Sequence, residues 1–331
     1  MTATFSIPVP GVSIGHATDT KVQSGTTVFL FDEPATAAVH IMGGAPGTRD
    51  TELLDTHNTV SQVDALVLSG GSAYGLDAAG GVQAWLREHE RGIALDPVRI
   101  PIVPCAILFD MRNEGDKDWG QYAPYRELGY AATTNCNSNP EVGQVGAAYG
   151  AKTANTPGGF GLAATQYQSA LNTTDKSANT TGCILAGMAV NAVGSPLIGD
   201  TTHFWAAPWE QQQEFGGLGY PAPWPEDAAL PRTKSGQRVA GTNTTIGVIV
   251  TDFALTPSQA KRLAISAHDG LARALYPVHT SADGDLLFVA STGRVAIADE
   301  DLLDFTVQAT NCVTRAIACG VYQAMQDGQH E

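Results

Sequence analysis

The sequence predicts an α/β fold on three observations. Short apolar segments alternate with glycine-rich turns, a helix with both ends marked lies in the last third, and a three-four apolar repeat closes the chain. The apolar segments are AAVHIMGG (37–44), DALVLSGG (64–71), RIPIVPCAILFD (99–110), CILAGMAVNAVG (183–194), TTIGVIVTD (244–252) and DLLFVAST (285–292). After the second of them, Leu76, Ala79, Trp85 and Leu86 give a helix face that starts from a Ser72 cap. Thr256-Pro257-Ser258-Gln259 is a capping box with proline at the first helical position. Leu263, Ala267, Leu271 and Leu275 then recur every four residues until Pro277. Leu302, Phe305, Ala309, Cys312, Ala316 and Cys319 mark residues 300–326 as a long terminal helix.

Between 205 and 242 no period survives in a stretch rich in Pro, Gly, Gln and charge, which reads as a flexible functional loop, a linker or a processing segment. The part of the chain beyond residue 243 is thin for a core of its own. Both sides of the loop are therefore expected to build one domain, 1–331.

The whole chain, 331 residues and 43% hydrophobic, can bury a substantial core. Its 33 acidic against 18 basic residues give a net charge of -15, which excludes nucleic acid and anionic membranes as natural partners and suits an amine-bearing small molecule weakly. Residues 1–15 have neither a basic start nor an apolar core of signal-peptide length, and no apolar run is long enough to span a bilayer, so a cytoplasmic location is expected. Five widely spaced cysteines do not make a disulfide framework, and no short metal-ligand spacing occurs among Cys and His.

The loop ends at Gly241-Thr242-Asn243-Thr244-Thr245-Ile246, where a polar segment delivers a hydroxyl to the first position of an apolar strand. A break before Thr244 would free its amine. An α-amino group titrates near ~7.7–8.0, so it can take the proton from its own residue's hydroxyl and make Thr244 nucleophile and base together. The same hydroxyl could perform the cut by attacking the Asn243 carbonyl. Read locally, a threonine opening a strand also satisfies β-propensity, and Asn243 marks a turn.

The segments PGVSIGH (10–16), GGAPGTRDTELLD (43–55), LSGGSAYGLDAAGGV (68–82), VPCAILFD (103–110), AVNAVGS (189–195), NTTIGVIVTD (243–252) and PVHTSADGDLLF (277–288) are similar, in order, to the L-aminopeptidase/D-esterase family, which also holds β-aminopeptidases and nylon-oligomer hydrolases. Its Asn-Thr junction most resembles the nylon-oligomer branch. The resemblance implies an αββα sandwich with an amino-terminal nucleophile, self-cleaved into pieces 1–243 and 244–331 of one domain and assembled as a homo-oligomer. It implies Thr244 as nucleophile, Asn243 as the new carboxyl end, and Asn191 as oxyanion donor. It further implies Lys152 as a fixed charge beside the amine, with Asp283 and Asp285 as partners of amine and substrate. No cofactor is implied. Phe109 stands where the family often has tyrosine, so a phenol's contribution to the oxyanion is absent. Expected substrates are small amides: nylon (6-aminohexanoate) oligomers, peptides or β-amino-acid amides, the last two in an aminopeptidase reading. From another class stands a small-molecule binding protein that keeps the fold uncut.

Bland readings accompany these residues. Asn191 fits a turn before Gly194, Lys152 a solvated loop, and Asp283-Gly284 a hairpin. GGSAYG lacks the spacing of a nucleophile elbow or a dinucleotide loop, and GGAPGTRD lacks the ending of a phosphate loop.

Overall fold

The computed structural model describes residues 3–170, 180–234 and 243–328. Among them, strands β1 (Val12–Asp19), β2 (Ser24–Ile41), β3 (Thr48–Arg49), β4 (Gln62–Ser69), β5 (Ile93–Leu95), β6 (Val98–Ile100), β7 (Cys105–Ile107), β8 (Gly159–Gln168), β9 (Thr181–Asn191), β10 (Thr244–Phe253) and β11 (Leu286–Val295) are joined by helices α1 (Ala78–Glu88), α2 (Tyr125–Thr134), α3 (Pro257–Ala274) and α4 (Leu302–Asp327).

Hydrogen bonding follows the order β3-β7-β4-β2-β11-β10-β9-β8, with β1 also on β2. The long β2 divides this path. Its first half pairs with β1 and β4, and its last residues, Thr36–Ile41, pair with β11. Between them the register slips, where Asp32, Glu33 and Pro34 are exposed; Pro34 has no N–H to give the ladder, so the strand can bend there.

Alternation along the strands then builds layers. Val28, Leu30, Ala65 and Val67 face Val82 and Leu86 of α1. The alternate residues Phe29, Phe31, Leu66 and Leu68 face Phe160, Leu185, Val248 and Phe288 across the two sheet halves. On the far side Met188, Ile249, Leu287 and Val289 pack on Leu263 and Leu271 of α3 and on Phe305, Val313 and Ile317 of α4. The result is the expected αββα sandwich, its sheets continuous through the bent β2.

β10 lies between antiparallel β9 and parallel β11, reached through the α3 crossover that a parallel pair requires. The Thr256–Gln259 capping box opens α3 as expected, and Leu263, Ala267 and Leu271 face the core.

Four local expectations change. Ser72 is not a cap: the turn after β4 enters a 3-10 helix at Ser72–Asp77, and Gly71, with φ +84, holds the cap position while its N–H donates to Asp110 at 2.7 Å. The apolar 99–110 segment does not form one continuous element, because Pro101 and Pro104 interrupt it between β6 and β7. Asp283-Gly284 is not a hairpin; it closes the loop from α3 into β11. Helix α3 stops at Ala274, three residues before Pro277.

In the expected loop, residues 205–234 contain the short helical turn Ala207–Trp209 and bury Ala206, Phe215 and Ala228, while 235–242 lie outside the described residues.

Candidate active site

Thr244 opens β10, buried at 2% exposure, with Asn191 opposite it in the β9 register. Its hydroxyl donates to the Asn243 carbonyl oxygen, the very group it would have to attack. The Gly284 N–H reaches both partners, 3.0 Å from Asn243 O and 3.2 Å from Thr244 Oγ1. Asn243 is itself fully buried and bridges Asp283 in parallel.

The Asn191 side chain is held at both ends. Its Nδ2 donates to Phe109 O at 2.8 Å, while its Oδ1 accepts from the Lys152 N–H at 3.1 Å and from Lys234 Nζ at 3.0 Å. Lys234 Nζ also donates to Asn191 O. Lys152 thus reaches the site through its backbone, and its side chain is exposed. The less exposed lysine is Lys234, half-buried and anchored by its N–H on Val193 O at 3.1 Å.

Burial pushes the Lys234 ammonium down to about 7; Asp283 works against this and Lys152 adds to it. Because the folded form binds this proton less tightly than the unfolded chain, whose lysine titrates at 10.5, this group makes stability rise with pH between about 7 and 10.5. Lys234→Met should abolish that rise. Urea unfolding of Thr244→Ala chains with and without Lys234→Met, at both ends of the window, measures it; equal pH slopes would refute it.

Neither predicted carboxylate touches Thr244 directly. Asp283, fully buried, accepts from Val193 N at 3.2 Å, Thr280 N at 2.9 Å and Thr280 Oγ1 at 2.6 Å. Burial, and then the nearby Asp285 charge, raise its pKa, while these hydrogen bonds lower it. Asp285 accepts from Thr245 N at 2.7 Å, and from His279 N at 3.0 Å and Nδ1 at 2.9 Å. It therefore fixes the residue after Thr244. Residues 42–45 strap the same turn: Met42 and Gly43 donate to Asp285 O, and Ala45 to Asp283 O.

Beside Asn191 opens a cavity of about 230 Å³ whose charged lining is Asp110, Arg112, Lys152 and Lys234. The structure thus gathers Thr244, Asn243, Asn191, Asp283 and Asp285 around one strand head, with Lys152 at the cavity wall. Lys234, His279 and Gly284 were missed as site residues. Lys234 lay in the aperiodic stretch with nothing local to mark it. His279 and Gly284 lie inside PVHTSADGD, where only the carboxylates announce chemistry.

The family description "Peptidase family S58" matches residues 7–330. A relative from Mycobacterium tuberculosis named an uncharacterized aminopeptidase is 38% identical over 339 residues, 96% of this chain and 93% of its own length. The 6-aminohexanoate-oligomer endohydrolase of Paenarthrobacter ureafaciens is 27% identical over 86% of this chain and 74% of its own. Among solved structures, the L-aminopeptidase D-Ala-esterase/amidase of Ochrobactrum anthropi, described as a variant of the Ntn hydrolase fold, superposes with a TM-score of 0.69 at 19% identity, covering 98% of this chain and 88% of its own. A Burkholderia sp. β-aminopeptidase gives 0.65 at 20% identity over 97% and 87%.

Proposed function

The chain belongs to peptidase family S58 and is a hydrolase of amide bonds, and from that premise we propose that it cuts itself between Asn243 and Thr244 and then works through the freed amino-terminal Thr244. The observation that carries this is the Thr244 hydroxyl resting on the carbonyl of its own preceding residue at the head of a central strand. After the cut the threonine amine, titrating near ~7.7–8.0, serves as base for the hydroxyl. Pieces 1–243 and 244–331 remain one domain, and no cofactor takes part.

Substrate amide attack gives an acyl-enzyme on Thr244, with the Asn191 amide released from Phe109 O to meet the oxyanion. Lys152 supplies the charge that favours a neutral amine, and Asp283 and Asp285, buried with their oxygens taken up within the chain, hold the strand head that presents the amine. The substrates are linear amides carrying a free amine, the chemistry shared by relatives named aminopeptidase and 6-aminohexanoate-oligomer endohydrolase. Arg112, Lys152 and Lys234 along the cavity suit the carboxylate end of such a molecule. We place the protein in the cytoplasm, supported by five free cysteines. We read it as a homo-oligomer, supported by the exposed apolar hairpin of Ile93, Leu95, Val98 and Ile100. Among the described residues no helix is long and apolar enough to cross a membrane.

Intact mass under denaturing conditions, with amino-terminal sequencing of the smaller piece, tests the cut. The expected fragment is about a quarter of the 34.5 kDa chain and begins Thr-Thr-Ile-Gly. A stable single species would sink the reading and leave a binding protein. Asn191→Ala is expected to lower kcat by ~10²–10³-fold, the usual cost of one oxyanion donor. Steady-state turnover of free-amine substrates, with N-acetylated controls, reads both the loss and the amine requirement.

A further inference from the structure

The charge that develops during the self-cut sits on Asn243 O, inside the chain, and beside the attacking hydroxyl a backbone donor already faces that atom. The Gly284 N–H stands 3.0 Å from it. Asn191 does not reach it in the uncut chain: its Nδ2 is spent on Phe109 O, and its Oδ1 is fixed by Lys152 N and Lys234 Nζ. We propose that the Gly284 N–H is the oxyanion donor of the self-cutting step, distinct from the side-chain amide that serves later turnover. This rests on the reading that Thr244 cuts the chain.

Three further observations fit that role. The peptide is held rigidly from both sides, Asp283 by Thr280 and Val193 and Asp285 by Thr245 and His279, so the donor needs no rearrangement when charge appears. Its N–H also contacts Thr244 Oγ1 at 3.2 Å, so a single donor spans the nucleophile and the oxygen that will take the charge. Finally, the glycine is required by space. Its φ lies outside the left-handed region, but a Cβ there would stand 2.7 Å from Thr244 Oγ1 and 2.8 Å from Ala45 O.

The step balances as follows. Thr244 Oγ bonds to the Asn243 carbonyl carbon, and the carbonyl π pair moves onto Asn243 O, where the Gly284 N–H meets it. The oxyanion collapses, the Asn243–Thr244 C–N bond breaks, and the nitrogen takes the hydroxyl's proton. The resulting ester is opened by water to give the Asn243 carboxylate and the free Thr244 amine.

The test is a semisynthetic full-length chain with glycolic acid in place of Gly284, which exchanges the N–H for an ester oxygen and adds no side chain. Cutting is followed by intact mass from the moment of refolding. The rate per folded molecule should fall ~10²–10³-fold against an all-amide semisynthetic chain. An ester at Ala282, whose N–H bonds only Thr280 Oγ1 at 3.2 Å, should cut at the all-amide rate. A Gly284 ester that cuts within about threefold of the all-amide chain overturns the proposal, whereas an all-amide chain that never cuts overturns the Thr244 reading instead. Independently of refolding, uncut Thr244→Ala should show through-hydrogen-bond coupling between Gly284 N and the Asn243 carbonyl carbon. Its absence also overturns the proposal.

Discussion

Thr244→Ala will run as one 34.5 kDa chain under denaturing conditions and will hydrolyse amides at least ~10⁴-fold more slowly than the processed protein. The loss is this large because the proposed mechanism asks one hydroxyl to do two jobs, opening the Asn243–Thr244 bond and then forming the acyl-enzyme. The substitution is mild for the fold. β10 stays bonded to β9 and β11 along its length; the lost hydroxyl donates to Asn243 O and accepts from the Gly284 N–H at 3.2 Å, and that N–H keeps its bond to Asn243 O. Near-UV circular dichroism should therefore match that of the parent, which separates a chemical loss from unfolding. Thr244→Ser, which keeps the hydroxyl, should still be cut. Turnover by a folded Thr244→Ala chain would remove Thr244 from the mechanism.

Asp285→Ala is expected to have the largest effect on stability, about 3–5 kcal/mol, the order reached when several donors lose one buried acceptor. The carboxylate is 1% exposed and accepts three hydrogen bonds, from Thr245 N and from His279 N and Nδ1. Without it, two backbone N–H groups and an imidazole lose their acceptor beneath the strand head. Each buried unsatisfied group costs about 1–3 kcal/mol. Asp285→Asn would recover little, because its NH₂ must face one of those donors. Against a total stability of about 5–15 kcal/mol for a typical domain, the alanine variant should be marginal. Urea unfolding in the uncut Thr244→Ala background measures it, and a change under ~1 kcal/mol would show that the turn is held by other means.

Much of this was legible from the chain alone where sequence period and burial coincide. β9, β10 and β11 are continuous apolar runs because both faces are covered, and α3 carries its own start signal. Helix α2 and strands β1 and β8 escaped because their signals are local and weak. β8 is glycine-rich where it packs on α4, and β1, VSIGHATD, carries few apolar residues among polar ones. At the site, the residues that stood out were those whose side chains suggest chemistry. Gly284 contributes a backbone group, which no residue identity announces. Lys234 is brought to Asn191 only by the path of an irregular loop. The Asp-Gly pair misled because its turn chemistry is the same whether the next strand returns antiparallel or follows a helix.

The position of β10 has a consequence for the order of the proposed maturation. It is an interior strand, flanked by β9 from one side of the junction and by β11, which in turn pairs with β2. The two fragments would therefore be interlaced like fingers, and breaking one peptide bond opens no seam along which they could part. Assembly must precede scission, since the pieces could not thread into each other afterwards without unfolding. The matured protein should behave as a non-exchanging heterodimer: isotope-labelled small fragment mixed with unlabelled enzyme should stay with its original partner for as long as the fold survives.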